Sequence, residues 1–241
     1  MLVRLLPAGF VLLALAAFAT LLVSSECPQS LIGSACTRSA KLGELFPSLA
    51  HLSEAEALTI TVRWSGLSEI PYVNVQYALQ RRGNRFEGVA RGLVERRGGR
   101  GSANAVRQIA IPSDSIRSFL AASNHVLLTE GEYKPRITYT DDYPLVRVDV
   151  ECIGVRLRIE TRSQRGYPGL IANQLQSAQS NPALERYPDR TPWAINYLGR
   201  TFIITANDLD KAWDRLLDQL EYEDIERDAI SRLPPRRSNP E

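Results

Sequence analysis

The amino-acid sequence predicts an α+β domain: an antiparallel sheet of β-hairpins with one short helix and a long C-terminal amphipathic helix packed on it. Three segments in which apolar and polar residues alternate, each folding back at a short turn, predict the hairpins. In residues 207–230 apolar residues recur at helical spacing instead, which predicts the long helix. With 44% hydrophobic and 23% charged residues, the 241-residue chain has a composition typical of a protein that buries a core.

The first 25 residues have the pattern of an export signal. One arginine, Arg4, precedes an apolar run over residues 5–23, and small residues follow. A cleaved signal peptide and an uncleaved membrane anchor both fit residues 1–25, because the run is just long enough to span a bilayer as a helix. Both interpretations predict an extracytoplasmic protein that is secreted, periplasmic or anchored at its N-terminus to the membrane.

Residues 26–56 predict a linker, since they are rich in Ser, Ala, Gly and Pro and show little periodicity. Cys27 and Cys36 lie close together in this linker, and in an oxidising compartment they would close a short loop as a disulfide. Cys152 lies in a strand-like segment, where a lone cysteine is usually a small buried hydrophobic residue. The folded domain is predicted over residues 57–230, followed by a disordered basic tail at 231–241.

The first hairpin has the clearest pattern. Apolar residues at alternate positions of residues 73–79 predict a half-buried strand, and Gly83-Asn84 favours a tight turn because both residues tolerate positive φ. The return strand is expected from residue 85 to about residue 97. Two glycines in it predict a bulge or a bend, at Gly88 and Gly92.

The remaining elements follow from local patterns. Residues 58–64 predict a strand, and Ser113 is expected to cap the short helix after the first hairpin. Two further hairpins are predicted within residues 143–163 and 192–208. Asn207 is expected to cap the long C-terminal helix.

One family resemblance rests on two short motifs. The segment RWSGLSEIPY has Arg63 and Pro71 at the spacing of an Arg-x-x-Cys-x-Gly-x-Cys-Pro-x-Tyr signature, with Tyr72 one place early, and YKPRITYTDDYP matches a later strand entry through Thr140 and Asp141. On these motifs residues 58–165 resemble a family of secreted bacterial domains of unknown function. The family's two cysteines and its glycine are replaced here, by Gly66, Ile70 and Ser68. The resemblance implies a fold and no activity.

Acid pairs are the strongest candidates for catalysis. A glycosidase needs two carboxylates held across a sugar, and two acid clusters are available in the sequence: Glu130 with Glu132, and Asp141 with Asp142. Adjacent acids are also typical of turns, which favours a non-catalytic interpretation. Neither His51 nor His125 lies in a nucleophile or metal motif, and we predict no metal site and no cofactor.

An aromatic group around the third hairpin has two interpretations. Tyr187, Trp193 and Tyr197 would form a ligand platform of the kind that grips sugars, in a loop stiffened by prolines. Alternatively, tyrosine and tryptophan in a hairpin pack in the core or against cross-strand neighbours. The sequence leaves both interpretations open.

Charge is divided between two parts of the chain, although the formal net charge is only +2. Residues 63–107 contain nine basic and three acidic residues, whereas residues 208–230 contain nine acidic and three basic ones. Either the acidic helix neutralises the basic hairpin, or the hairpin is free to contact an anion. The predicted anion-binding residues are Arg81, Arg82, Arg85, Arg91, Arg96 and Arg97.

These observations predict an exported, non-catalytic binding or interaction domain associated with the cell envelope. Its Arg-rich hairpin would contact an anionic membrane surface or an envelope polymer, and its acidic helix would alternatively contact another envelope protein. Nucleic acid is not expected as a partner, because no recognition motif accompanies the charge. The alternative is a glycan-directed hydrolase using an acid pair and the aromatic loop.

Overall fold

The computed structural model describes residues 37–64, 72–96, 101–129, 144–152, 154–162, 193–205 and 208–235. In these ranges a ten-stranded antiparallel sheet packs with a few helices, including C-terminal ones. The predicted class is therefore confirmed at the level of a mainly β, broadly α+β fold. The predicted export signal and the predicted Cys27–Cys36 disulfide lie outside the described residues.

The elements are numbered in chain order. The strands are β1 (Thr37–Lys41), β2 (Ala57–Trp64), β3 (Tyr72–Arg82), β4 (Arg85–Glu95), β5 (Ser102–Pro112), β6 (His125–Thr129), β7 (Leu145–Cys152), β8 (Val155–Arg162), β9 (Ala194–Tyr197) and β10 (Arg200–Ile204). The α-helices are α1 (Leu42–Leu45), α2 (Ser113–Ala122), α3 (Leu209–Gln219) and α4 (Tyr222–Ser231). Two short 3₁₀ helices span Pro47–Leu49 and Leu52–Glu54.

Two meanders meet at an antiparallel pair inside the sheet, and β6 and β1 extend the sheet beyond one of them. The strand order runs β1-β6-β10-β9-β8-β7-β2-β3-β4-β5, so that β2 and β7 join two four-stranded meanders, β2–β5 and β7–β10. Each meander is followed by a helix, after which the chain crosses to the other meander. After the first meander and α2, strand β6 pairs with β10 of the second meander. After the second meander and α3, helix α4 packs against β3, β4 and β5 of the first. This exchange gives the described residues one continuous hydrophobic core.

Alternation along the strands separates a covered face from an outer face. In β3 the residues predicted to be buried, Val73, Val75, Tyr77 and Leu79, are all at most 1% exposed, which confirms the predicted period of two. Their side chains lie on the face that the helices cover, called here the inner face. The residues between them point to the opposite, outer face.

Gly88 and Gly92 do not form the predicted bulge. The β3–β4 ladder pairs residues one to one from Tyr72 opposite Glu95 down to the turn. Each glycine instead permits a close approach: a Cβ on Gly88 would collide with the carbonyl oxygen of Ala78, and one on Gly92 would crowd a side chain of α4. At the turn only Gly83 has positive φ, at +60°, and a first-position glycine is the pattern of a type II′ turn.

The predicted linker contains part of the fold. Over residues 37–41 β1 pairs with β6 along its whole length, and the short helices that follow bury Leu42, Leu49 and Leu52 completely or nearly so. Residues 37–56 therefore belong to the folded unit. Each buried leucine lies in a different short element, which is why no periodicity marks this segment.

The C-terminal helix is two helices, not the single long one that the spacing predicts. Helix α3 ends at Gln219, α4 begins at Tyr222, and Glu221 between them has left-handed backbone with φ +51°. The apolar positions shift phase at this break, because Leu220 closes the face of α3 while Tyr222 opens that of α4. The break turns α4 onto the sheet.

Two predicted caps also differ from the structure. Ser113 is the first residue of α2 and Pro112 takes the cap position, while Asn207 lies outside the described residues. At the C-terminus Arg232 bonds Asp228 and Leu233 packs against the core, so the described start of the predicted tail is held to the fold.

Cys152 should be inert in the folded protein. It is fully buried, its Sγ donates to the backbone oxygen of His51 at 3.4 Å, and burial raises the pKa of the thiol above its ordinary value. A raised pKa lowers the thiolate fraction at neutral pH, and the thiolate is the reactive species. In a Cys27→Ser, Cys36→Ser variant we expect a thiol reagent to react at least about 100-fold faster in urea than in buffer. Fast labelling without denaturant would contradict the burial of this residue.

Candidate anion-binding surface

The arginines of the β3–β4 hairpin are divided between the two faces of the sheet. Arg82, Arg85 and Arg91 lie on the outer face and are exposed, whereas Arg81 lies on the inner side and is half-buried. Arg96 is half-buried just after β4, and Arg97 lies outside the described residues. The six predicted residues therefore do not form one patch.

A fourth exposed arginine joins the outer-face set from the neighbouring strand. Arg63 of β2 points to the same face, with its guanidinium 5.2 Å from the ring centre of Tyr72 in a cation–π contact. Arg63, Arg82, Arg85 and Arg91 are called here the basic face. Sequence reasoning left Arg63 out of the candidates, although its alternation with the buried residues of β2 places it on this side.

The turn of the hairpin is fixed to the rest of the fold. Arg117 of α2 donates to the Oδ1 of Asn84 at 3.4 Å and pairs with Asp114. The backbone N–H of Ser113 donates to the oxygen of Asn84 at 3.0 Å, and Arg81 donates to the carbonyl of Gly83 at 3.4 Å. These bonds hold the turn in place, so the arginines beside it are presented from a braced element.

Arg82 and Arg85 face each other directly across the turn. Like charges in opposite positions of an antiparallel pair are destabilising. Both side chains are exposed, so the repulsion is weakened by solvent, and a bound anion between them would relieve it further.

The acidic helices neutralise little of the basic face. Arg107, on the inner face of β5, pairs with Glu221 at 2.6 Å, and this bond raises the pKa of the arginine. In contrast, Arg82, Arg85 and Arg91 pair with no carboxylate anywhere in the ranges that the structure describes. The neutralisation hypothesis therefore accounts for Arg107 and not for the outer-face arginines.

The other half of the outer face is balanced in charge. On β7 and β8, Asp149 pairs with Arg158 at 2.7 Å and Arg147 with Glu160 at 3.6 Å. Asn196 of β9 adds a bond to Glu160 at 2.8 Å. A depression of about 560 Å³ lies over this half, and the charged residues that line it are two acids, Asp149 and Glu151, and two arginines, Arg156 and Arg158. Unpaired positive charge is thus concentrated on β2–β4.

A groove runs beside Arg91. It has a volume of about 310 Å³ and is lined by Asn74, Gln76, Asn104 and Val106 as well as by that arginine. The Oδ1 of Asn74 is a buried acceptor with no hydrogen-bond partner in the described part of the chain. The donors that the groove offers an oxyanion are the guanidinium of Arg91 and the amide N–H groups of the Asn and Gln side chains.

The predicted aromatic platform is wrong for the two described residues. Trp193 is 5% exposed, its ring lies 5.7 Å from those of Phe119 and Trp213, and its indole N–H donates to Asp210 at 2.8 Å. Tyr197 is also buried, with its ring against Phe46. Both belong to the core, which is the alternative interpretation of the sequence, and Tyr187 lies outside the described residues.

The hydrolase alternative depends on four acids that lie outside the described residues: Glu130, Glu132, Asp141 and Asp142.

Within the described ranges no three His, Cys, Asp or Glu side chains are grouped as metal ligands. The described helices also include none that is both long enough and apolar enough to cross a membrane.

No protein-family model matches the chain, and no curated protein or solved structure matches it significantly.

Proposed function

We propose that this protein is an exported, non-catalytic binding domain that docks on an anionic membrane surface through its basic face. The main support is the set of exposed outer-face arginines, of which Arg82, Arg85 and Arg91 have no carboxylate partner in the described ranges. An anionic surface satisfies several separate guanidinium groups at once, because lipid headgroups are mobile and supply phosphate oxygens at any spacing.

The arrangement of charge also favours one orientation. Helix α4 packs on the inner face of the sheet and α3 packs on α2, so the acidic residues of both belong to the helix layer, while the basic face points the other way. An anionic surface attracts the outer face and repels the helix layer. The protein would therefore dock with its sheet towards the lipid.

The expected strength follows from the number of arginines. Each basic residue near an anionic membrane contributes about 1 kcal/mol, so the four side chains of the basic face would contribute at most about 4 kcal/mol if all reach the headgroups. The exposed Glu87 and Glu95 lie on the same face and oppose part of this attraction. The net attraction is marginal alone and effective for a protein already held near the membrane by an N-terminal anchor or by export. The groove beside Arg91 would hold one headgroup phosphate through its guanidinium and amides.

The test compares two variants of residues 26–241 that remove equal charge from opposite faces. One replaces Arg82, Arg85 and Arg91 by Gln, and the control replaces Lys211, Arg215 and Arg227 of the helix layer by Gln. Sedimentation with phosphatidylglycerol and phosphatidylcholine vesicles over a salt series measures the partition constant. We expect the outer-face variant to bind the anionic vesicles about 100-fold more weakly at low salt, because it loses about 3 kcal/mol. The control should bind within about twofold of the unchanged protein, because its charges lie on the side away from the membrane and are screened by salt.

If both variants lose the same affinity for anionic vesicles, binding depends only on the net charge of the protein, which would contradict docking by the outer face. Salt-dependent binding to an anionic polysaccharide but not to vesicles would replace the membrane by an envelope polymer. The contact of the acidic helices with another envelope protein stays a prediction.

A further inference from the structure

Strand β5 forms one edge of the sheet, and its backbone hydrogen bonds can be assigned by position. The N–H of Arg96 bonds the oxygen of Gly101, and the N–H of Ser113 bonds that of Asn84. These two bonds fix the phase of the β4–β5 ladder, so odd-numbered residues 103–111 bond β4. Even-numbered residues therefore direct their N–H and C=O groups away from β4, where no strand of the described residues pairs with them.

This edge has little of the usual protection against pairing, because its one inward-pointing charge is neutralised and its one proline is the last residue of the strand. Natural edge strands are commonly short, or display lysine, inward-pointing charge or a bulge. In contrast, β5 has 11 residues in continuous register, and its outward positions at the centre are the uncharged Asn104, Val106, Gln108 and Ala110. Val106 is 61% exposed. The one charged side chain of the strand, Arg107, is on the inner face and already paired with Glu221.

We propose that β5 pairs in antiparallel fashion with β5 of a second copy of this chain, which joins the two sheets into one. The register places Gln108 opposite Gln108 of the second copy and Val106 opposite Ala110. Like charges are then never directly opposed, because Arg107 faces Ile109. In this register every outer-face position from Asn104 to Pro112 meets an uncharged residue, so the strand is complementary to a second copy of itself, which favours a second copy as the occupant.

The ends of the strand support this register. The carbonyl of Asn104 already accepts from Arg232 at 3.3 Å, and Pro112 has no N–H to donate. In the proposed register Asn104 lies opposite Pro112 of the second copy, so the two positions least able to complete the ladder fall together. The rungs at residues 106, 108 and 110 remain complete.

The dimer goes beyond the proposed function and does not depend on it. Pairing about a two-fold axis perpendicular to the sheet keeps the outer faces of both copies on the same side. The two basic faces would then meet one surface together, and the second contact would be intramolecular. A dimer without membrane binding, or membrane binding by a monomer, would separate the two proposals.

Sedimentation equilibrium of residues 26–241, without lipid, tests the dimer. This fragment is appropriate because the described core lies entirely after residue 36. We expect twice the monomer mass at micromolar concentration. Val106→Lys should weaken the dimer at least about tenfold, since it sets a charge in each copy beside the edge. Val106→Thr keeps a branched, uncharged side chain, so this variant should remain dimeric. Leu198→Lys changes another exposed aliphatic residue, far from β5, and should also remain dimeric.

Cross-linking tests the register separately. In a Cys27→Ser, Cys36→Ser background, Gln108→Cys should form a covalent dimer on mild oxidation, because directly opposed residues have Cα atoms within disulfide range. Asn104→Cys should not, since its own counterpart lies several residues away. A protein that stays monomeric up to about 100 µM, a dimer unaffected by Val106→Lys, or the reverse pattern of cross-links would overturn the proposal. Binding of an unrelated extended peptide at β5 in a monomeric protein would assign the edge to a different partner.

Discussion

Replacing Trp213 by alanine should lower the free energy of unfolding by about 4 kcal/mol, within the range for deleting a large buried aromatic side chain. Trp213 is fully buried in α3, and its ring lies 5.7 Å from Phe119 of α2 and 5.7 Å from Trp193 beside β9. The substitution removes the side chain on which these three elements meet. Since small domains are stable by about 5–15 kcal/mol in total, much of the chain should unfold at moderate urea concentrations. Urea titration followed by circular dichroism measures the loss.

Two control substitutions show whether the loss arises from packing. Trp213→Phe keeps an aromatic ring and removes an indole N–H that has no hydrogen-bond partner among the described residues, so it should cost well under half as much. Leu198→Ala changes a side chain that is 73% exposed and should have almost no effect. A loss below about 1 kcal/mol for Trp213→Ala would mean that α3 does not pack on this core.

The features that the sequence predicts well are those that depend on local pattern. The alternation in β3 identifies its buried residues because a strand with one covered face needs no other information. The break at Glu221 is different: it accompanies a contact with Arg107, which lies 114 positions earlier in the chain. No local pattern contains that partner, and the shift in apolar phase between Leu220 and Tyr222 is too small a signal to have divided the predicted helix. Similarly, β1 is defined by its pairing with β6 and has no periodicity of its own.

The same division holds for the candidate surface. Alternation alone separates Arg81 from Arg82 and Arg85, so the three could have been assigned to two faces from the sequence. The sequence could not show which of the two faces the helices cover, because the placement of helices on a sheet depends on tertiary contacts. The aromatic residues show this most clearly: Trp193 fits a ligand platform or a core equally well until Phe119 and Trp213 are known to surround it.

Substituting alanine for Gly88 should destabilise the protein by about 3 kcal/mol or more, at the upper end of the range for overpacking. A Cβ at this position would meet the carbonyl oxygen of Ala78 on the neighbouring strand. That atom belongs to backbone, which cannot move unless the β3–β4 ladder is distorted. The ladder also sets Arg82 opposite Arg85, so we expect any folded fraction to lose binding to anionic vesicles together with stability. Thermal unfolding and vesicle sedimentation measure the two effects.

Gly92→Ala is the matched control, since it adds the same methyl group to the same face of the same strand. Its nearest neighbour would be the Cγ2 of Ile225 at 2.9 Å, a side-chain atom on α4 that can shift. We therefore expect a smaller cost, about 1–2 kcal/mol. Equal costs at the two positions would show that packing of α4 on β4 is as rigid as the ladder itself. A negligible cost at Gly88 would mean that β3 and β4 are not in close contact at that point. The placement of the basic face would then have to be revised, because the position of every arginine beside the turn depends on the β3–β4 register.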